Sequence, residues 1–170
     1  MNTEETVDHL TQKMMEFDRG EPELIQHFIK VHAFARMICR AEKVDAYTQF
    51  ITECAALVHD IGTRPAVDQY GYSDGKLQEE LGPGYARNLL EDEKLNEEDI
   101  ERVCYLVGHH HTYDDIQGMD YQILVEADFL TNFYDNATDG GKIQRIMDKV
   151  FKTSTGRKLC ETIFRPDSME

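Results

Sequence analysis

At 170 residues and 19.7 kDa the chain fits one domain, and a helical domain of that size buries most of its unfolded surface without disulfides. Its 41% hydrophobic and 30% charged residues, with only 4 Pro, exclude low-complexity disorder and collagen-like repeats. Asp and Glu number 33 against 18 Lys and Arg, a formal charge of −15 that repels nucleic-acid duplexes and anionic membranes.

A phosphate-bearing partner would need that field offset locally, and with no dense Lys/Arg patch a bound cation is the natural counter-charge. Cys39, Cys54, Cys104 and Cys160 lie far apart with no CxxC pair, which predicts buried, reduced thiols. The N-terminal run MNTEETVDHL has neither a basic nor an apolar leader segment, and no apolar run approaches the ~18–20 residues of a membrane span. The expectation is a soluble, cytoplasmic protein.

Apolar residues recur at three- and four-residue spacing, which predicts an all-α helical bundle forming a single domain over 1–170. Pro22 suits the first turn of a long helix over about 22–43, whose stripe is Leu24, Ile25, Phe28, Val31, Ala35 and Ile38 and which carries His27 and His32. Asp45 reads as the N-cap of a second helix ending at Gly62 in a left-handed cap, with His59 and Asp60 in its last turn. The segment 63–76, rich in Gly, Pro, Ser and Asp, reads as an exposed loop long enough to act as a lid.

A short helix through Tyr85, Ala86, Leu89 and Leu90 follows, with Pro83 at its start or at a kink. Asn96 caps the next, which buries Ile100, Val103, Cys104 and Val107 and ends near Gly108 and the triplet His109-His110-His111. The run 121–134 is apolar on nearly all sides, as a central helix would be, and contains Asp128. Amphipathic packing helices close the chain over 142–151 and 159–164.

A carboxylate placed like Asp128 costs several kcal/mol unless partnered. The candidate partners are His32 and the doublet His59-Asp60, and two imidazoles with two carboxylates form a divalent-metal donor set. The plainer alternative is a pair of imidazolium–carboxylate contacts at a helix junction. His9 and His27 read as hydrogen-bonded core or surface residues.

His32, His59-Asp60 within AALVHDIG and Asp128 within VEADFL resemble the H…HD…D pattern of the HD-domain superfamily of metal-dependent phosphohydrolases, over about residues 24–135. The resemblance implies an all-helical fold in which His32, His59, Asp60 and Asp128 hold one divalent ion (Mn, Fe, Zn, Co, Ni or Mg), with Asp60 bridging to a second in dinuclear members. It implies hydrolysis of a nucleotide or other small phosphate ester by metal-activated water, with Asp60, His110 and His111 catalytic, the two histidines standing either where dinuclear members hold a second metal or where single-metal members contact phosphate.

If the helix persisted past Gly108, His110 and His111 would face inward, at about 280° and about 20° against an apolar stripe centred between about 300° and 40°. Many relatives carry a lysine four residues after the second motif histidine; Thr63 stands there, with Arg64 beside it as the candidate phosphate-binding cation. Glu79 reads as a metal ligand, a water-orienting base or a solvated helix residue. Two other functions fit the same resemblance, a di-iron oxygenase and a non-catalytic nucleotide sensor. Both monomer and homodimer remain open.

Overall fold

The computed structural model describes residues 2–166; residue 1 and residues 167–170, at the ends of the expected domain, lie outside the described residues. The fold is all-α, with nine helices among the described residues. The first, α1 (Thr3–Phe17), has no counterpart in the sequence reading. Asn2 and Glu5 close it with a reciprocal capping box, and Val7, Leu10 and Met14 bury its inner face. The long second helix, α2 (Pro22–Ala41), starts on its proline as expected.

α3 (Ala46–Val58) is capped by Asp45, whose carboxylate accepts the Thr48 N–H, and is buried without interruption from Ile51 to Val58. It packs against α1, α2, α6 (Glu97–Val107) and α7 (Met119–Asp135), which makes it the axis of the core. It stops before the histidine, so His59 and Asp60 stand in the turn beyond it.

Gly62 is not a left-handed cap, because its φ is −74°. It is glycine for another reason. A Cβ there would lie 2.9 Å from the Gln78 carbonyl oxygen and 2.9 Å from the Gly82 nitrogen, so only a bare Cα lets α5 (Gly75–Glu91) approach the His59-Asp60 turn this closely.

The expected lid loop is mostly helix, α4 (Thr63–Tyr70). Pro65 sits in its first turn, where a missing N–H breaks no helical bond, and Gly71 supplies the left-handed stop at φ 80°. The same Pro and Gly that read as loop residues are therefore the two ends of one short helix. α5 is likewise longer than expected and keeps Pro83 inside it.

α6 ends at Val107, and residues 108–111 are turns rather than a continuing helix. The central α7 is buried on nearly all sides, as its composition predicts. α8 (Gly140–Val150) and α9 (Ser154–Phe164) pack at the end of the chain, and α9 starts five residues earlier than expected because Thr153 caps it by accepting the Gly156 N–H. Among the described residues no helix is long and apolar enough to cross a membrane.

Candidate metal centre

α2, α3 and α7 pack mutually, and where they meet, four side chains converge: His27 of α2, His59 and Asp60 after α3, and Asp128 at the middle of α7. The Nε2 atoms of His27 and His59 stand 3.1 Å apart. His27 Nε2 is 3.1 Å from Asp60 Oδ2 and 3.2 Å from Asp128 Oδ1, and His59 Nε2 lies 3.5 and 3.4 Å from the same two oxygens. His59 is fully buried and Asp128 is 4% exposed.

The far side of each ring decides what the near side offers. His59 donates its Nδ1–H to the Ala56 carbonyl at 2.7 Å, and His27 donates its own to Asp135 Oδ2 at 3.2 Å. Both protons are thus held outward, and both Nε2 lone pairs face the centre and each other. Two lone pairs and two carboxylates that close require positive charge between them.

Protons can supply that charge, and the electrostatics show the demand for it. Burial disfavours charged His27 and His59, but Asp60 and Asp128 outweigh it and carry their pKa values up to about 11 and about 10. Burial likewise opposes ionisation of Asp60 and Asp128, yet the neighbouring imidazoles hold both carboxyls below the usual range. A divalent cation supplies that charge: ligand atoms of His27, His59 and Asp60 all lie within 4.8 Å of one another, with Asp128 Oδ1 3.2 and 3.4 Å from the two imidazoles, so this nitrogen–oxygen set fits a metal ion.

His110 adds a second face. Its Nδ1–H goes to the Val107 carbonyl at 2.8 Å, and its Nε2 lies 3.2 Å from Asp60 Oδ1. Asp60, His110 and His111 form a second group whose ligand atoms lie within 4.8 Å of one another, with Asp60 shared. His111 is held by Gln78 at its Nε2 and by Glu79, which accepts its backbone N–H. His109 turns outward and stacks on Tyr105 with ring centroids 4.0 Å apart.

Two expected site residues lie elsewhere. His32 does not reach the centre: its Nε2 meets Glu53 Oε2 at 2.9 Å on another flank of α2. The reason is geometric, since five residues of helix rotate a side chain by about 500°, leaving His27 and His32 about 140° apart. Arg64 points away from the site and donates to the Phe17 carbonyl at 2.8 Å, tying the end of α1 to α4. The histidine that does reach the centre is His27, expected from sequence to be a hydrogen-bonded core or surface residue.

Periodicity offered no way to prefer it. With Phe28 at zero, the buried stripe Phe28, Val31, Ala35, Ile38 and Cys39 spans about 280° through zero to about 20°, His27 falls near 260° and His32 near 40°. The two histidines flank the stripe on opposite edges, and only the packing of α7 decides which edge is the site.

Beside the centre opens a cleft of about 830 Å³ whose lining includes His27, Asp60, Thr63, Gln78, Asn132 and Asp135. Lys30 is the one lysine or arginine among the described residues that lines it. Asn132 donates to Asp128 Oδ1 at 3.0 Å and so ties the cleft wall to the centre.

A protein-family model described as HD domain matches residues 24–151, most of the chain. The chain is similar to a crystal structure described as a predicted HD superfamily hydrolase from an uncultured Thermotogales bacterium, with a TM-score of 0.64 and 26% sequence identity. That match covers 95% of this chain and 84% of the other. No curated protein sequence matches.

Proposed function

Because the chain belongs to the HD domain family, we propose that it is a metal-dependent phosphohydrolase acting on a nucleotide or another small phosphate ester. The observation that carries this reading is the convergence of His27, His59, Asp60 and Asp128 beside a cleft that His27, Asp60 and Lys30 line. A divalent cation, when bound, acidifies water and neutralises charge on phosphoryl oxygens.

The chain's own residues then have separable tasks. His27, His59, Asp60 and Asp128 hold the ion. Asp60 also faces His110, so it links the ion to the histidine turn. Lys30, on the cleft wall one turn beyond His27, is the cation that meets a phosphate oxygen. His110 and His111 hold a phosphoryl oxygen or pass a proton to the leaving oxygen. The cleft amides Gln26, Gln78, Asn132 and Asn136 offer donors and acceptors to an uncharged part of the substrate.

The test is phosphate release from a panel of nucleotides and small phosphate esters, with Mn, Co, Ni, Zn, Fe or Mg supplied in turn. Wild type should release phosphate with at least one ion, and Asp60→Ala should abolish the release. Equal release by the two proteins rejects the mechanism.

A second reading rests on the Asp60, His110 and His111 group, which with the first set could hold two irons for oxidative chemistry. Anaerobic metal analysis with spectroscopy for coupled iron separates the readings: a single non-redox ion removes the oxygenase.

A further inference from the structure

The three inward histidines are not held alike. His59 and His110 each donate Nδ1–H to a carbonyl three residues back in their own turn, Ala56 and Val107. Those acceptors come with the local backbone and no side-chain substitution removes them. His27 has no such option. It sits within α2, where the preceding carbonyls are engaged in the helix ladder, so the acceptor for its Nδ1–H has to come from another element.

That acceptor is Asp135, the last residue of α7. Its Oδ2 takes the His27 Nδ1–H at 3.2 Å, and its Oδ1 takes the Lys30 ammonium, which lies one turn beyond His27 on α2. Asp135 is seven residues after Asp128 and shares its face of α7, with Asn132 between them bonded to Asp128. Lys30 in turn lies 5.4 Å from the centroid of the Tyr134 ring. The carboxylate is therefore fixed by a charge on one oxygen and left to accept from the imidazole with the other.

We propose that Asp135, pinned by Lys30, is the positioning residue that fixes the tautomer and ring orientation of His27 so that its Nε2 presents a lone pair to a metal ion. The proposal rests on the metal-binding reading of the centre. A carboxylate behind a ligating imidazole sets which nitrogen carries the proton and raises ligand basicity, and its loss costs 10–100-fold in metal affinity in comparable sites. If the proton moved to Nε2, an N–H would point at the ion's position and His27 would be lost as a donor.

The experiment measures Mn and Zn affinity by calorimetry, and the visible absorption of the Co-loaded protein, for wild type, Asp135→Ala and Asp135→Asn. Asp135→Ala should bind about 10–100-fold more weakly and show altered Co bands. Asp135→Asn, whose amide oxygen can still accept the Nδ1–H but whose NH2 then faces the Lys30 ammonium, should recover part of the loss. Wild-type affinity and bands in Asp135→Ala overturn the proposal while leaving the metal-binding reading standing. A wild type that takes up no ion overturns both. Should Asp135→Ala fail to fold, imidazole 15N spectra of the Zn-loaded wild type decide: His27 protonated at Nδ1 supports the assignment, and His27 protonated at Nε2 overturns it.

Discussion

The carboxylate of Glu79 accepts the backbone N–H of His111 at 2.9 Å and the hydroxyl of Thr112 at 3.0 Å, across 32 and 33 residues of chain. Of the roles open to Glu79 from sequence, this is a fourth: it fastens the histidine turn to α5. Tyr121 reinforces the turn from α7, its buried hydroxyl shared between the carbonyls of His109 and Thr112.

Glu79→Ala should therefore loosen His110 and His111 without disturbing the donors on α2, α3 and α7. Hydrogen bonds to a charged acceptor are worth about 1.5–3 kcal/mol, so urea denaturation should show a stability loss of about that size. Calorimetry should show a smaller loss of first-ion affinity than removal of a donor such as His27, because the turn touches the first group only through Asp60, which His110 shares. Turnover should fall through the displaced histidines.

The exchange of His32 for His27 gives a sharper contrast. His27→Ala removes a donor from the centre and should weaken metal binding by more than the ~100-fold upper range for a residue behind the ligand, and it should also destabilise the metal-free protein, because buried Asp60 and Asp128 lose a charged partner. His32→Ala should leave metal binding unchanged. It strips a partner from buried Glu53, leaving only Gln49 at 2.7 Å and a distant Arg36, and should cost about 1–3 kcal/mol in denaturant unfolding.

The same pair shows what the sequence could carry. The doublet His59-Asp60 and the lone Asp128 were legible because each stands in an otherwise apolar stretch, where an ionisable group has a cost that calls for a partner. The helices α2 and α6 were legible from their stripes and first-turn residues, and α7 from being apolar on nearly all sides. His27 was not, because it and His32 flank one stripe symmetrically and local periodicity has no information about which neighbour packs where. Arg64 failed in a different way: proximity along the chain suggested the site, but its place in the first turn of α4 aims it at the end of α1. α1 itself was within reach, since Asn2 and Glu5 have capping-box spacing ahead of Val7, Leu10 and Met14.

Arg64 and Lys30 accordingly trade roles, and kinetics should separate them. Arg64→Ala should lower the melting temperature by freeing the Phe17 carbonyl, at about 1 kcal/mol, and leave KM for the phosphate substrate within about twofold. Lys30→Met removes the cleft's lysine. With the metal ion saturating, since Lys30 also holds Asp135, loss of one charge-assisted contact of about 1.5 kcal/mol corresponds to about a tenfold rise in KM. A reversed pattern, with KM following Arg64, would return the phosphate to the side of the site that the sequence first suggested.

Asp18, at the end of α1 and 4% exposed, gives the fold a pH dependence of its own. Burial raises its pKa from the ordinary 3.8 to about 6, with the nearby Arg64 guanidinium pulling the other way and Asp60 and Glu21 adding to the rise. A carboxyl with a raised folded-state pKa binds its proton more tightly in the native than in the unfolded chain. Its contribution is therefore most favourable below about 3.8 and is lost as pH rises through about 6. Asp18→Asn mimics the protonated form at every pH, so at pH 7 it should be more stable than wild type by roughly 1–3 kcal/mol. In denaturation series with chelator present, that advantage should shrink as pH falls from 7 to 4. An advantage that held constant over the whole range would place the effect in packing rather than in the ionisation of Asp18.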